Sequence, residues 1–469
     1  MIRTALAATL LAATPALAQS TTQDELDARY DRALAAGYKA LFLCSAIANA
    51  ERIGQVRTAE SVEAWELTGI QAPLDEIVPT QPFEIVRQRV YDDSTTDFDE
   101  GPIAHVEVTW TDDMPPRVAY HIEEQGCSLA PIGHAPVAQE PMTGPATART
   151  FEKVVPEEHS SPELDRVLAK AFAGSYGEGT RTTVTLVERL APGDRAVRAS
   201  RALEEFVGRP QRTWSVAKSI AATLVGAAIH RGEANVEASA GLGAASGFGD
   251  PRASITVDHL LRMASGRYSD TPGNRTDPLY FGGAWVKETA LGWPLVQEPG
   301  TVYRYANNDT LAAIKAIEET FADHPPAAFL QMAGMRETVV EKDLNGDYVL
   351  SSQVWATAED LLKLGQLYLN DGVLPDGTRI LPEGWVEYVS APSGPQPDGP
   401  FGYGAGFWLF NKSDGIPPDT FAAMGNRGQF IIIVPSLNVV IVRRGEDPVG
   451  SRFDIAAFTR DVLESLEKR

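Results

Sequence analysis

The stretch that decides the fold is Thr213-Trp-Ser-Val-Ala-Lys-Ser-Ile220, which opens the apolar run Ile220–Ile229. This run contains no proline and indicates a buried helix. Ser215 and Lys218 are three residues apart, so their side chains lie on one face of that helix. A lysine kept unprotonated by burial can take the proton of a serine hydroxyl. The spacing alone is equally consistent with an N-cap serine followed by a surface lysine.

Tyr305 and Asn307 form a second candidate pair, within a turn, short strand and helix start at Pro299–Leu311. A phenol beside a lysine ammonium can become a phenolate and shuttle protons to and from a serine. An asparagine side chain can donate to a substrate carbonyl and accept a hydrogen bond from a lysine. The structural alternative is a core tyrosine and an asparagine that caps the next helix.

In this order and at this separation, the two motifs resemble those of the serine β-lactamases of class C type and their relatives. These relatives include penicillin-binding esterases, D-alanyl-D-alanine carboxypeptidases and aminohexanoate-oligomer hydrolases. The segments Ile255–Gly266 and Ala356–Gly372 are also similar to segments of this family, the second most of all to the aminohexanoate-oligomer hydrolase branch. The resemblance covers roughly residues 160–469.

The resemblance implies an α+β fold of the class C β-lactamase/transpeptidase type, with an antiparallel sheet and a helical domain, preceded here by a small N-terminal α+β extension. It also implies four catalytic residues. Ser215 is the expected nucleophile, Lys218 and Tyr305 share its proton, and Asn307 orients Lys218 and the substrate. No cofactor and no metal are expected, and the seven histidines form none of the usual zinc motifs.

The chain departs from the family at the Lys-Thr-Gly motif of the strand that lines the active site. Counting back from Pro435 places Thr420–Ala422 at this position, where no lysine stands. In the family this lysine helps to recognise a carboxylate, so we expect poor handling of β-lactams and peptidoglycan stems. The segment Gly425–Gln429 resembles a glycine-rich turn of the esterase and amide-hydrolase relatives; an ordinary hairpin turn is the alternative. The predicted substrate-binding residues are Ala422, Ala423, Gly425, Asn426 and Arg427, with the Ala422–Ala423 backbone completing the oxyanion hole.

Residues 1–18 are typical of a cleaved secretory signal peptide, with Arg3, an apolar run and the cleavage site Ala16-Leu-Ala18. The predicted location is therefore periplasmic or secreted, without membrane insertion. The formal net charge of −22 argues against nucleic acid or anionic lipid as a partner. The expected partner is a small-molecule ester or amide substrate, and the oligomeric state stays open.

Cys44 and Cys127 are the two cysteines of the chain. In an exported protein an even and minimal count predicts one disulfide, with two buried free thiols as the alternative.

Composition divides the chain into four parts. After the signal peptide, residues 19–130 form an N-terminal extension domain with an amphipathic helix over 23–52 and strands at Phe83–Tyr91, Ala104–Trp110 and Arg117–Ile122. Residues 131–160 contain five prolines and are predicted to be a linker. Residues 161–469 form the hydrolase domain, which is expected to end with strands and the helix Phe453–Leu466.

The sequence therefore predicts an exported serine hydrolase that cleaves an ester or amide bond through an acyl-serine intermediate. One alternative is a D-alanyl-D-alanine carboxypeptidase or weak β-lactamase. Another is a non-catalytic cell-wall-binding or ligand-binding protein of the same fold. The physiological substrate does not follow from the sequence.

Overall fold

The computed structural model describes residues 22–91, 98–137, 142–143, 159–191, 196–243, 249–269 and 276–467. The predicted signal peptide at 1–18 and most of the proline-rich segment 131–160 lie outside these ranges.

The N-terminal extension combines one long helix with one sheet. Its helices are α1 (Gln23–Arg52), α2 (Ala59–Trp65) and α3 (Leu74–Ile77), and its strands are β1 (Phe83–Tyr91), β2 (Phe98–Val108), β3 (Arg117–Ile122), β4 (Gly126–Leu129) and β5 (Met142–Thr143). The strands form a sheet in the order β4-β3-β2-β1-β5, antiparallel except for the parallel pair of β1 and β5.

Helix α1 is the core of this extension. Every residue from Ala33 to Ala50 is buried, including Lys39, whose ammonium lies 3.0 Å from the Glu63 carboxylate. By length and composition α1 could cross a membrane, and it is the one such helix in the described ranges, but its apolar window is wholly buried inside the protein. Its apolar surface packs on β2, β3 and β4, as expected for the core helix of a folded domain.

The hydrolase region begins with α4 (Pro162–Phe172), β6 (Thr182–Arg189), β7 (Val197–Ala202), β8 (Gln211–Arg212) and α5 (Val216–His230). Its middle is largely helical, with α6 (Val257–Leu261), α7 (Asp277–Tyr280), α8 (Val286–Thr289), α9 (Asn307–Ile317), α10 (Pro326–Met332), β9 (Val339–Val340), β10 (Val354–Ala356), α11 (Ala358–Leu369) and α12 (Trp385–Ser390). It ends with β11 (Gly402–Tyr403), β12 (Trp408–Leu409), β13 (Phe421–Gly425), β14 (Gln429–Val434), β15 (Val439–Gly445) and α13 (Ile455–Glu467).

The central sheet has seven antiparallel strands in the order β11-β12-β13-β14-β15-β6-β7. Helices cover both faces, so the strands are apolar on both sides. In β14, Ile431 and Ile433 join the cluster around α5 and α11, whereas Ile432 and Val434 join the cluster of α4 and α13. Helix α5 is buried on all sides from Val216 to Ala228 and is mostly apolar, as expected for a helix enclosed in the core.

The expected α+β architecture with an N-terminal extension is confirmed. The ends of some elements differ from the prediction. Strand β2 begins before Ala104, and β14 begins at Gln429 rather than Gly428. The latter shift has a local cause, because Arg427 and Gly428 have φ values of 55° and 80°, which a β-strand does not accommodate.

A disulfide joins Cys44 of α1 to Cys127 of β4, which confirms the predicted pairing. It fixes the core helix of the extension to the edge of its sheet.

We predict that thiol titration of the denatured, unreduced protein detects no free thiol. Replacing both cysteines by serine should lower the free energy of unfolding by roughly 4 kcal/mol, because the bond closes a loop with a sequence separation of 83 residues. Denaturant unfolding of the double variant measures this loss. Two reactive thiols per wild-type chain would contradict the pairing.

Candidate active site

Ser215 lies immediately before the first residue of α5, at the end of a tight turn. The turn enters from β8, where the Thr213 N–H donates to the Val354 carbonyl at 2.8 Å. Trp214 has a φ of 51°, which is rare for a bulky side chain and marks local strain beside the candidate nucleophile. Val216 and Ala217 then donate back into the turn, so that the helix starts directly after Ser215.

Lys218 is one turn further along α5 and is only 2% exposed. Its Nζ lies 3.0 Å from Ser215 Oγ, 2.6 Å from Asn307 Oδ1 and 2.9 Å from the Ser351 carbonyl oxygen. A neutral amine has two N–H donors and one lone pair. The two carbonyl oxygens can only accept, so they take the two N–H groups and leave the lone pair to the Ser215 hydroxyl. This arrangement suits a base that removes the serine proton.

Burial lowers the pKa of Lys218 from its usual range to about 7. Desolvation disfavours the charged ammonium, and no carboxylate contributes to holding it protonated. The amine is therefore substantially neutral near pH 7.

Tyr305 lies against both groups. Its hydroxyl interacts with the side chains of Ser215 and Trp408, and Lys218 Nζ lies 4.9 Å from the centre of its ring. Burial raises the pKa of Tyr305 well above its usual value. This shift favours the protonated phenol over a phenolate, whereas the shift of Lys218 favours its neutral amine. Tyr305 fits a proton donor better than a resting base.

Asn307 is the first residue of α9 and is buried. Its Oδ1 accepts from Lys218, as predicted, and its Nδ2 donates to Thr276 Oγ1 at 3.1 Å. The structure therefore brings the four predicted residues, Ser215, Lys218, Tyr305 and Asn307, into one cluster.

The sequence did not predict the groups that hold this cluster in place. The Ser351 carbonyl holds Lys218, and the Ser351 hydroxyl lies 2.5 Å from the Tyr280 hydroxyl. A backbone contact such as that of the Ser351 carbonyl leaves no signature in one sequence.

Arg212 is a second support and is fully buried. Its guanidinium lies 4.3 Å from the Trp214 ring centre and 4.8 Å from that of Phe42 in α1, and it donates to Ser352 Oγ at 3.0 Å. Cation–π contacts in a desolvated site are worth roughly 2 kcal/mol. Arg212 thus links the extension to the turn that holds Ser215 and to the turn that holds Lys218.

Ser215 faces a pocket of about 560 Å³. Its walls are largely aromatic, from Trp214, Tyr280, Phe281, Tyr305, Phe401 and Trp408. Asp277 lines the pocket, but no lysine, arginine or histidine does so among the described residues. The described part of the lining therefore provides mainly apolar contact, and no cation besides the buried Lys218 lies at the site.

The strand wall of the pocket lies further along the chain than predicted. Met424, Gly425 and Asn426 line it, whereas Thr420, Ala422 and Ala423 are buried inside the sheet. Placing the pocket edge at Thr420–Ala422, and the oxyanion donor at Ala422–Ala423, was therefore wrong, because the strand runs on to the turn before it meets Ser215. The absence of a lysine holds for the corrected wall too.

Gly425 marks the closest approach of this strand to the candidate nucleophile. A Cβ at this position would lie 2.4 Å from the Thr213 carbonyl oxygen and 3.1 Å from the Ser215 nitrogen. Only glycine fits such a distance without displacing the backbone of the nucleophile turn.

Arg427 is also corrected as a substrate-binding residue. Its guanidinium is buried, lies 2.8 Å from a Glu446 carboxylate oxygen and donates to the carbonyls of Trp65, Thr68 and Gly69 in the extension. Arg427 does not line the pocket that Ser215 faces, although it lines a neighbouring cavity.

These features agree with a comparison of the sequence with family models. The model of the β-lactamase family matches residues 208–460, which is more than half of the chain. The chain belongs to the β-lactamase family. The matched segment contains Ser215, Lys218, Tyr305 and Asn307, but none of the N-terminal extension.

Solved structures of this family share the fold. One, described as "Putative 6-aminohexanoate-dimer hydrolase from Bacillus anthracis", is 19% identical with a TM-score of 0.53 over 62% of this chain and 80% of that chain. Another, described as "putative beta-lactamase from Bacteroides dorei DSM 17855", is 17% identical with a TM-score of 0.52 over 66% of this chain and 99% of that chain. A search of curated protein sequences finds no significant match.

We predict that Lys218 titrates near pH 7, about three units below an ordinary lysine. It is protonated below this pH and neutral above it. NMR of the lysine side chains as a function of pH measures this directly, and the variant Lys218→Met assigns the signal. A Lys218 signal that titrates above pH 10 would contradict the role of the buried amine.

Proposed function

We propose that this protein is an exported serine hydrolase that cleaves an ester or amide bond through an acyl intermediate on Ser215. One observation carries the proposal: Lys218 Nζ lies 3.0 Å from Ser215 Oγ, while both of its N–H groups have carbonyl acceptors. The lone pair of the neutral Lys218 amine is therefore left for the Ser215 hydroxyl.

In the proposed acylation, Ser215 Oγ attacks the substrate carbonyl carbon and its proton passes to Lys218. Tyr305 donates its proton to the leaving oxygen or nitrogen and recovers one from Lys218. The bond to the leaving group breaks, and an acyl-serine ester remains. Water then attacks this ester and gives its proton to the same base system, which releases the acid and restores the Ser215 hydroxyl.

The oxyanion needs two N–H donors. The Ser215 N–H at the start of α5 is one candidate. The Gly425–Asn426 backbone supports a second, because Gly425 approaches the Ser215 nitrogen closely and both residues line the pocket. We propose this segment in place of Ala422–Ala423.

The pocket favours substrates with apolar groups. Its aromatic walls suit an apolar acyl or leaving group. A neighbouring cavity of about 320 Å³ shares Phe401, Met424 and Val449 with it, so there is room for a substrate longer than an acetyl ester. Carboxypeptidases and β-lactamases recognise a carboxylate that their substrates carry, and none of the described lining residues is a cation that could bind it.

Export is supported by two features. Residues 1–18 have the pattern of a signal peptide, and the disulfide of Cys44 and Cys127 suits an oxidising compartment. A periplasmic or secreted location follows as part of the proposal.

We predict that Ser215→Ala, Lys218→Ala and Tyr305→Phe each remove most of the activity, and that the losses do not add in combination. Tyr305→Phe keeps the ring and deletes one hydroxyl, so kcat should fall by about 10²-fold or more. Hydrolysis of 4-nitrophenyl acetate, with circular dichroism to verify folding, checks this. Tyr268→Phe is the matched control, because Tyr268 does not line the pocket. Near-full turnover by Tyr305→Phe would leave Lys218 as the sole base, and near-full turnover by Ser215→Ala would refute the proposal.

We also predict that penicillins and cephalosporins are poor substrates, with kcat/KM below about 10⁴ M⁻¹s⁻¹. The described residues that line the pocket offer no cation for their carboxylate, and Arg427, which lines the neighbouring cavity, is paired with Glu446. A chromogenic cephalosporin tests this beside 4-nitrophenyl acetate. Efficient cephalosporin turnover would favour the β-lactamase alternative.

A further inference from the structure

The N-terminal extension reaches the active-site pocket through the loop between α2 and α3. Gln71 in this loop lines the pocket. Among the described residues that line the pocket, it is the one that lies outside the segment matched by the β-lactamase family model. A residue of the extension thus lines the same cavity as Ser215.

This loop is held firmly against the hydrolase region. The Arg427 guanidinium donates to the Thr68 and Gly69 carbonyls of the loop and to the Trp65 carbonyl at the end of α2. The Val449 N–H also donates to the Gly69 carbonyl, at 2.8 Å. Arg181 adds bonds to Thr68 Oγ1 at 2.9 Å and to the Ala64 carbonyl at 3.0 Å. Gln71 therefore has a defined position, which a specificity residue requires.

The side-chain amide of Gln71 forms no hydrogen bond with any described residue, although it lies on the pocket wall. Neighbouring polar groups are engaged, since Ser352 Oγ accepts from Arg212 and Asn426 Oδ1 accepts from the Arg427 N–H. The side-chain amide of Gln71 therefore has an N–H donor and a carbonyl acceptor that a bound substrate can use.

We propose that Gln71 is a specificity-determining residue, which binds a neutral hydrogen-bonding group of the substrate, such as an amide or hydroxyl, beyond the reacting carbonyl. This assignment rests on the proposed function of the Ser215 site. Because Gln71 belongs to the extension, the extension selects substrates for a catalytic centre built by the family fold.

The test compares kcat/KM for three 4-nitrophenyl esters: the acetate as reference, the N-acetylglycyl ester with a neutral amide, and the hydrogen succinate with a carboxylate. Gln71→Leu should lower the ratio of N-acetylglycyl to acetate hydrolysis by at least about fivefold, because a hydrogen bond is lost. Gln71→Lys should raise the ratio of succinate to acetate hydrolysis by at least about fivefold, because a cation now faces the pocket.

Gln55→Lys is the matched control. It makes the same charge change in the extension at a residue that does not line the pocket, so both ratios should stay within twofold of wild type. Ratios within twofold of wild type in both Gln71 variants, with hydrolysis still dependent on Ser215, would overturn the Gln71 assignment alone. Hydrolysis that persists in Ser215→Ala, or that is absent in wild type, would overturn the proposed function and the assignment with it.

Discussion

The buried amine of Lys218 is the constraint on which the site depends. It is almost inaccessible to water, so the protein must satisfy all its hydrogen-bonding capacity. The Asn307 amide and the Ser351 carbonyl satisfy its N–H groups, and Ser215 Oγ remains for the lone pair. Each partner comes from a different element of the fold. Helix α5, helix α9 and the turn before β10 are therefore needed together to place three oxygens around one nitrogen.

The extension is part of this arrangement. Phe42 of α1 stacks on Arg212, and the same guanidinium covers Trp214 and binds Ser352. The apolar core around α1 accordingly includes Trp214, Tyr280 and Trp355 of the hydrolase region. Arg427 and Val449 fix the loop that carries Gln71 at the front of the pocket. The extension thus contacts the site at two points, behind the nucleophile turn and at the rim of the pocket.

The parts that sequence predicted are those with a local or repeated pattern. The apolar run of α5 predicted a buried helix, and the spacing of Ser215 and Lys218 placed both on one face of it. The two cysteines could pair only with each other, so that pairing followed from their number. The motif order connected Tyr305 and Asn307 to the same site.

The parts that sequence did not predict depend on where strands end and which way side chains turn. Counting back from Pro435 places the pocket wall too early in the chain. Strand β13 continues to Gly425, and the turn to β14 contains the left-handed residues Arg427 and Gly428. The sequence predicts that Arg427 binds substrate, because its actual partners, the Glu446 carboxylate and carbonyls of the extension, are distant in sequence and leave no local pattern. The Ser351 carbonyl is a backbone group that any residue could supply. Gln71 carries no motif, and only the folded chain brings it to the pocket.

The central claim is that Ser215 is a nucleophile activated by a neutral Lys218. Its most direct measurement is the site and rate of labelling by a fluorophosphonate, read by intact mass and peptide mapping across pH. The account predicts one label per chain, on Ser215, forming faster as the pH rises through about 7 and greatly slowed in Lys218→Met. A label on another residue, or a Ser215 label whose rate is unchanged by Lys218→Met, would contradict it.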